Sequence, residues 1–500
     1  MMSKHFLGLC LVAGGCVAAS YTMIGCSGVS TTGSGGAGGT GASATASSSS
    51  KTTSSSKSVS AITSSSGMAA ANPTCEKAIA LALDGKDVPG TLPMPDTDFR
   101  WYTFMGKKGD PLLVFTTAKT GPDPFDTSYL DTVVTLFGGD CTTQVQIAQN
   151  DDPHPRFTND GTIFTILPAD AQYWIRIAEC NGIFAQGCAN SAMISTFDFT
   201  VGAGVLDVMA LSNAQEGMEP NDTDVTATDI TMKYQPGMNP GTYYLTNIFG
   251  MFQTAPDVDV YQITIPMDIN VDPATERSVG NFYPLPSTPD QDGSTVAVGK
   301  VSIVDPTDPM KAVASIALGK GDDVSRDLSP PLKFGTKYFL FVERDVGMAG
   351  TNDFYFLRHY GGGSNPIEKA DATNDDIAMP EVLNEAVNQP GAFFIDGDIS
   401  KANDIDHYSL TFPAGTTKVT AVCGGQRIGS GIRGMTLEFL KGSAGNGTLG
   451  QKTEDAATDA LLQNVAIPAG ETKVLLKMTA NAMQDPNVTS TFYRCGIYFQ

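Results

Sequence analysis

Residues 257–263 read Asp257-Val-Asp259-Val-Tyr261-Gln-Ile263, an Asp-x-Asp pair at the start of a short alternating strand. The chain repeats this opener twice, as Asp96-Thr-Asp98-Phe-Arg-Trp-Tyr102 and as Asp404-Ile-Asp406-His-Tyr408. Each opener has a matching pair of aromatic or aliphatic strands further on. These closers are Tyr173-Trp-Ile-Arg-Ile177 with Phe197-Asp-Phe199, Tyr338-Phe-Leu-Phe-Val342 with Phe354-Tyr-Phe356, and Val474-Leu-Leu-Lys-Met478 with residues 492–499. Self-similarity on this scale indicates a string of like domains rather than one large core.

Short β-branched or aromatic runs bounded by Gly, Pro or Asp dominate the units. Examples are residues 112–115, 132–136, 162–166, 301–304 and 418–422. Many short strands with frequent turns predict an all-β protein of three tandem jelly-roll-like antiparallel β-sandwiches. We place these sandwiches at residues 73–204, 212–362 and 365–500. Brief helices are expected only at residues 76–83 and within 379–386.

The N-terminus has the features of an export signal. Lys4 precedes an apolar run over residues 6–19, which is too short for a comfortable membrane span of ~20 residues. The stretch Met23-Ile-Gly-Cys26 resembles the lipobox of bacterial lipoproteins, and Ala13-Gly-Gly-Cys16 is a poorer second match. We therefore expect a signal peptide over residues 1–26 with lipid attached at Cys26, and Ser27 points to the outer membrane. Plain cleavage near Ala19, giving a periplasmic or secreted protein, is the alternative.

Residues 27–72 are almost entirely Ser, Thr, Gly and Ala. Such residues cannot bury enough apolar area to offset the entropy of ordering, so a disordered tether is expected. Its typical end-to-end distance would be roughly 35–40 Å. A tether of that reach suits a lipid-anchored protein whose domains stand clear of the membrane.

The overall charge and the cysteines agree with an exported protein. A formal net charge of −22 would repel phosphate backbones, so nucleic acid is not an expected partner. Of nine cysteines, Cys10, Cys16 and Cys26 belong to the leader. The remaining even number favours disulfides in an exported chain. Cys180 and Cys188 flank one turn and are expected to pair, which leaves Cys75 with Cys141 and Cys423 with Cys495.

Further motifs accompany the openers in a constant order. Glu219-Pro-Asn-Asp-Thr223 precedes the second opener, and Glu368 and Asn374-Asp-Asp376 precede the third, which Phe412-Pro-Ala-Gly415 follows. The first unit lacks such a segment but contains Cys75, Gly-Asp-Cys141 and Asn150-Asp-Asp152. This order resembles the bacterial pre-peptidase C-terminal domain, a β-sandwich appended to secreted proteases and found in tandem on surface proteins.

The resemblance implies a calcium site, because members of that family on clostridial collagenases bind calcium. Ca²⁺ takes six to eight oxygen ligands. Glu219, Asn221, Asp257 and Asp259 are the expected ligands in the second unit. Glu368, Asn374, Asp404 and Asp406 form the counterpart set in the third. The alternative is that each Asp-x-Asp satisfies backbone donors of the preceding loop without any ion.

No catalytic machinery is recognisable in the sequence. The four histidines are scattered, no His-Glu-x-x-His is present, and Gly429-Ser-Gly431 lacks the spacing of a nucleophile elbow. We read His407 as a solvent-facing strand residue. The sequence therefore predicts a non-catalytic cell-surface lipoprotein that binds, adheres or spaces, with extracellular polysaccharide or protein as partner. An accessory or remnant component of a secreted protease system is the alternative.

Overall fold

The computed structural model describes most of the chain beyond the tether. The described residues are 72–118, 128–151, 160–184, 188, 191–207, 213–217, 219–231, 243–253, 256–267, 277–285, 298–318, 327–345, 354–363, 368, 373–385, 391–401, 403–442, 444–456, 458–481 and 484–500. The predicted signal peptide, the acylation site at Cys26 and the tether up to residue 71 lie outside these residues and stay predictions. Among the described residues, no helix has the length and apolar character needed to cross a bilayer.

The described part of sandwich one has nine strands in two sheets. They are β1 (Ile79–Ala80), β2 (Val88–Thr91), β3 (Arg100–Gly106), β4 (Pro111–Thr117), β5 (Thr132–Gly138), β6 (Val145–Asn150), β7 (Thr162–Ile166), β8 (Ala171–Glu179) and β9 (Asp198–Val205). One sheet has the order β1-β3-β8-β5-β6, and the other has the order β2-β9-β4-β7. Their inner faces enclose an apolar core that includes Tyr102, Val114 and Ile175.

Nine strands also lie in the residues of sandwich two that the structure describes. They are β10 (Asn213–Gln215), β11 (Thr228–Thr231), β12 (Tyr243–Met251), β13 (Val258–Thr264), β14 (Ser278–Leu285), β15 (Val298–Val304), β16 (Ala312–Ala317), β17 (Lys337–Arg344) and β18 (Phe354–Gly363). The sheets are β11-β13-β17-β15-β16 and β10-β12-β18-β14. Isolated bridges from Leu328 and Leu332 to β14 lie where β7 pairs with β4 in sandwich one, whereas β10 is an added edge strand of sandwich two.

Sandwich three repeats the pattern. Its strands are β19 (Glu381–Leu383), β20 (Ala392–Asp398), β21 (Ile405–Thr411), β22 (Lys418–Gly424), β23 (Thr436–Lys441), β24 (Thr448–Thr453), β25 (Ala460–Ala466), β26 (Lys473–Thr479) and β27 (Phe492–Phe499). They form the sheets β19-β21-β26-β23-β24 and β20-β27-β22-β25. Corresponding strands occupy the same places in the five-stranded sheets of all three sandwiches: β1, β11 and β19 lie at one edge, and β6, β16 and β24 lie at the other. The predicted all-β fold of tandem sandwiches is therefore confirmed.

The two short helices expected from the sequence are wrong. Residues 79–80 and 381–383 are strands instead, and each pairs in parallel with the strand of the Asp-x-Asp opener. β11 does the same in sandwich two. The sheets are therefore antiparallel apart from parallel edge pairs. The described helices are single 3-10 turns, at Cys75–Lys77, Cys180–Gly182, Ser191–Met193 and Gln426–Ile428.

The disulfides and the contact between the first two sandwiches stiffen the chain. Cys75 bonds to Cys141, Cys180 to Cys188, and Cys423 to Cys495, which are the pairs that the sequence predicts. Three disulfides indicate an oxidising compartment and hence an exported protein. Sandwiches one and two meet through aromatic rings, where Phe164 of β7 stacks on Phe356 of β18 with ring centroids 4.1 Å apart.

Candidate functional site

The tyrosines of the three openers occupy one equivalent position. Each pairs across the sheet with the closer strand and, on its other side, with the first residue of the parallel edge strand. The closer partners of Tyr102, Tyr261 and Tyr408 are Ile175, Leu340 and Leu476, and the edge partners are Ile79, Thr228 and Glu381. All three tyrosines are buried. The openers are therefore equivalent in the structure as well as in the sequence.

In two of the sandwiches the opener tyrosine meets a second tyrosine inside the core. The hydroxyls of Tyr261 and Tyr355 are 2.5 Å apart, and those of Tyr408 and Tyr493 are 2.6 Å apart. The second tyrosine lies across from a glycine, Gly250 in sandwich two, and a Cβ there would collide with the Tyr355 ring. The glycine is needed because only a missing side chain leaves room for the ring.

A buried asparagine is hydrogen-bonded to the backbone of each opener strand. Its carbonyl oxygen accepts a hydrogen bond from the backbone N–H just before the tyrosine, at 3.0 Å from Asn72, 3.1 Å from Asn221 and 3.0 Å from Asn374. Asn72, which the sequence analysis placed at the end of the tether, is thus part of sandwich one. It is the counterpart of the Glu-Pro-Asn-Asp-Thr segment, which the sequence had indicated to be missing there. In the sequence only a single Asn before Pro73 marks this position, which is too little to distinguish it from the tether.

The residue two positions before each tyrosine differs between sandwiches. It is Asp259 in sandwich two and Asp406 in sandwich three, both fully buried, but Arg100 in sandwich one. Asp96-Thr-Asp98 is therefore displaced by two residues relative to the other openers, and Asp98 is the equivalent of Asp257. The Arg100 guanidinium lies 3.8 Å from the Asp98 carboxylate.

Sandwich two gathers carboxylates around this position. One carboxylate oxygen from each of Glu216, Glu219 and Asp259 lies within 4.8 Å of the other two, and a second group at the same spacing joins Glu219 to Asp222 and Asp257. No lysine or arginine in the described part of the chain forms an ion pair with Glu216, Glu219 or Asp259. Glu216, Glu219 and Asp259 therefore accumulate acidic charge without a counter-charge from any residue that the structure describes.

Several polar atoms of this cluster are buried without a hydrogen bond. Among the described residues, no hydrogen-bond partner of acceptable geometry is found for six atoms. They are Oδ1 and Nδ2 of Asn221, both carboxylate oxygens of Asp259, Oε1 of Glu216 and Oε1 of Glu219. Burial, followed by the neighbouring carboxyls, raises the pKa of Glu216 to about 9. Burial likewise raises the pKa of Asp259 to about 7, although the Tyr355 hydroxyl opposes the shift. Buried polar groups left unpaired are costly, and either a bound cation or a proton would satisfy these carboxyl groups.

In sandwich three the equivalent groups are linked by hydrogen bonds, but Asn374 Oδ1 has no hydrogen-bond partner among the described residues. Burial, followed by the charge of Glu368, raises the pKa of Asp406 to about 9. The Asn374 amide donates to Glu368 at 2.5 Å and to Asp406 at 3.4 Å, and the Tyr493 hydroxyl donates to Asp406 at 2.6 Å. A neighbouring group of Asp375, Asp404 and Asp406 has carboxylate oxygens within 4.8 Å of one another. The Lys401 ammonium lies 2.8 Å from Asp375 and 3.4 Å from Asp404, and it lowers the pKa of Asp375.

The counterpart of Glu368 is Glu216 rather than Glu219. Glu216 accepts the Met251 N–H at 2.6 Å, and Glu368 accepts the Asp398 N–H at 3.1 Å, at the same place on the second sheet. Sequence reasoning missed Glu216, although it lies five residues before Asn221, much as Glu368 lies six before Asn374. Glu219 is then an additional carboxylate of sandwich two, since Ala372 stands two residues before Asn374.

These donors fit a calcium ion better than a transition metal. The groups around Asp259 are carboxylates and an amide, with no His or Cys in the acidic groups of the described residues. Hard oxygen donors in this number suit Ca²⁺. Glu216, Glu219, Asn221 and Asp259 would hold it, and Asp257 belongs to the adjoining group that shares Glu219.

His407 is not the solvent-facing residue that the sequence analysis described. It is 5% exposed, and its Nδ1 lies 3.0 Å from the Asn374 carbonyl oxygen, which also accepts the His407 backbone N–H. Its side chain therefore fastens the opener to the asparagine segment.

Comparisons with known proteins add little to this geometry. No family model matches the chain, and no curated protein matches it by sequence. Solved structures that it resembles include the CUB1-EGF-CUB2 domains of rat MASP-1, at 9% identity over 54% of this chain and 99% of that one, with a TM-score of 0.18. Another is the PBSX exported protein XepA, at 12% identity over 54% and 94% of the two chains, with a TM-score of 0.15. At these scores neither match carries an argument, and the resemblance to the pre-peptidase C-terminal domain stays a prediction.

Proposed function

We propose that this protein is a non-catalytic, lipid-anchored cell-surface protein whose three sandwiches serve in binding, adhesion or spacing, with one calcium ion completing sandwich two. The observation that carries the proposal is the repetition of the acidic constellation at one register position of successive sandwiches. A reaction centre needs one set of groups converging on a substrate. Here the carboxyl groups with the most strongly raised pKa values recur at equivalent positions of the fold. They face into the cores, which suits a structural role rather than contact with a substrate.

The calcium part of the proposal follows from how the three sandwiches balance charge at this position. Sandwich one supplies Arg100, and sandwich three supplies Lys401 together with hydrogen bonds from Asn374 to Glu368 and from Tyr493 to Asp406. Sandwich two has an extra carboxylate in Glu219 and no ion-pair partner for Glu216, Glu219 or Asp259 in its described part. An external cation would supply the missing charge, and burial would strengthen its attraction to the carboxylates.

The location is tested by fractionating cells that produce the full chain, its Cys26→Ser variant and the matched Cys16→Ser variant. Acylation at Cys26 predicts that wild type and Cys16→Ser stay on washed membranes, and that Cys26→Ser is released or remains unprocessed. Mass spectrometry of the mature N-terminus checks the modification directly. An intact chain that is processed and free in the medium would contradict the anchor and favour an accessory role in a secreted protease system.

The calcium ion is tested by calorimetric titration of EDTA-stripped protein. One ion per chain is expected, with a rise in the melting temperature of one of the unfolding transitions, because a ligand that binds only the native state stabilises it. If the titration gives no heat of binding and calcium causes no shift in melting temperature, the calcium site is ruled out. Screening the protein against a panel of polysaccharides for new reducing ends tests the absence of catalysis separately.

A further inference from the structure

Sandwiches two and three contact each other through main-chain hydrogen bonds and a buried side chain. The Ile428 carbonyl accepts the Ser329 N–H at 3.0 Å, and the Gly429 carbonyl accepts the Ser315 N–H at 2.9 Å. The side chain of Ile428 is buried in the core cluster of sandwich two. Gly429 has φ +95°, and a Cβ there would collide with Leu328. The turn at residues 426–429 is therefore fitted closely into its neighbour.

A second contact fixes the same joint at the edge of β16. The Ala312 N–H donates to the Asn487 carbonyl at 3.0 Å, and the Ala312 carbonyl accepts the Thr489 N–H at 2.8 Å. This parallel bridge and the Ser315 bond together occupy backbone groups of the edge strand. The two sandwiches hold their relative position through main-chain bonds, so any cleft between them is pre-formed.

Such a cleft of about 650 Å³ lies between the outer face of β15–β17 and the loops of sandwich three. Strand alternation places Val301 and Ile303 in the core and Lys300 and Ser302 on this outer face. Phe341 pairs with Ser302 and forms the aromatic part of the floor. In sandwich one the same face is covered by the cluster of Trp101, Phe137, Trp174 and the Cys75–Cys141 disulfide. The volume is within the range of about 300–1,000 Å³ that small-ligand sites have.

The cleft is basic in a strongly acidic chain. Its lining contains Lys300, Lys311, Arg427 and Arg433 but only two carboxylates, Glu343 and Asp485. Lys300 pairs with Glu343 at 2.7 Å, Arg433 with Asp485 at 2.5 Å, and Arg427 with Asp459 at 3.0 Å. Lys311 is exposed and forms no ion pair with any residue that the structure describes. The free charge of the cleft is thus positive, against −22 for the whole chain.

We propose that this cleft binds a short acidic oligosaccharide, with a uronate carboxylate at Lys311 and the face of a pyranose ring on Phe341. The fixed pairs Lys300–Glu343 and Arg433–Asp485 offer donors and acceptors at set positions, which suits the many hydroxyls of a sugar. An acidic peptide fits less well, because peptides are commonly captured on free strand edges and the β16 edge is already bonded to sandwich three. This inference rests on the proposed binding role and names its site and ligand class.

The test is calorimetric titration of the full chain with tetragalacturonate, maltotetraose and tetraglutamate as probes. Tetragalacturonate is expected to bind at least about ten-fold more tightly than either of the others, with an affinity that falls as salt rises. Lys311→Glu should weaken tetragalacturonate about ten-fold or more, because a like charge would face the uronate. Lys452→Glu is the matched control, since Lys452 is also exposed but lies outside the cleft, and it should change the affinity less than two-fold. Unchanged melting curves would show that both variants are folded.

Each opposing outcome identifies a different error. No heat with tetragalacturonate, or equal binding of maltotetraose, overturns the acidic-sugar site. Tighter binding of tetraglutamate replaces the sugar with an acidic peptide. Equal losses in the two variants would mean general surface charge rather than the cleft. Release of new reducing ends from tetragalacturonate would instead contradict the proposed non-catalytic function and leave the binding site standing.

Discussion

Arg100 of sandwich one and Asp259 of sandwich two occupy the same register position, two residues before a buried tyrosine that pairs with the closer strand. The exchange reverses a charge in equivalent cores, and its neighbours change with it. Where Asp259 is present, the facing residue of the second sheet is Tyr355, and where Arg100 is present, it is Phe199, each lying across from a glycine. The acid and the second tyrosine hydroxyl are therefore retained or lost together, as expected of one polar network.

Asp259→Asn should abolish the effect of calcium on sandwich two. The substitution removes a carboxylate from the cluster and also relieves repulsion with Glu216, so the EDTA-treated variant should melt no lower than wild type. For wild type, calcium at 100 times its Kd should stabilise the sandwich by about 2.7 kcal/mol. Differential scanning calorimetry with and without calcium measures both. Asp224→Asn is the matched control, because Asp224 is exposed and outside the cluster. An equal calcium shift in Asp259→Asn and wild type would place the ion elsewhere.

Tyr261→Ala should destabilise sandwich two by about 3–5 kcal/mol, because a fully buried aromatic ring is truncated. Its hydroxyl contact with Tyr355 would be lost as well. Gln262→Ala is the control in the next position, where the side chain points to the outer face and accepts a bond from Lys337. That change should cost less than about 1 kcal/mol. Denaturant unfolding followed by fluorescence gives both values, and similar costs for the two would mean that the strand faces the other way.

Much of the fold was predictable because it follows from alternation and repetition. The five strand segments expected from composition all lie within strands, and the tyrosines at 102, 261 and 408 are equivalent. The edge strands β1 and β19 were mistaken for helices, since two or three residues show no period. Their strand character comes only from parallel pairing with the opener, which is a tertiary effect.

The site was predictable in its residue types but not in its partners. Asp257 and Asp259 were recognised from local spacing, and both belong to acidic groups of sandwich two. Glu216 and Arg100 were missed, because their roles depend on register across the sheets rather than on distance along the chain. Asp96 was taken as an opener residue on spacing alone, whereas the backbone places Asp98 at that position. A motif two residues out of register cannot be distinguished from a true copy without the neighbouring strand.

Cys423→Ser should destabilise sandwich three by about 2–4 kcal/mol, as loss of a disulfide that closes a long loop usually does. The bond to Cys495 joins β22 to β27 across directly paired positions and closes a separation of 72 residues. Both cysteines are fully buried, so the variant also leaves a free thiol in the core. Melting of wild type with and without reductant is the measurement. Identical melting under both conditions would mean that the bond contributes nothing to stability.

Protonation of His359 should make sandwich two acid-sensitive. Burial lowers the pKa of His359 to about 3, while its Nδ1 lies 3.0 Å from the Asn281 carbonyl and its ring stacks on Phe282 at 3.6 Å. An unfolded histidine has a pKa near 6.5, so the unfolded state binds the proton first and the native state loses stability as the pH falls below that value. Between pH 7 and pH 4.5 the loss should be about 2–3 kcal/mol. His359→Phe keeps the stacked ring but cannot be protonated, so its stability should fall less over the same interval. Calorimetry of both proteins at the two pH values gives the loss of stability in wild type minus the loss in His359→Phe. The titration of all other groups cancels in this difference. A value near zero would mean that His359 is not the group responsible.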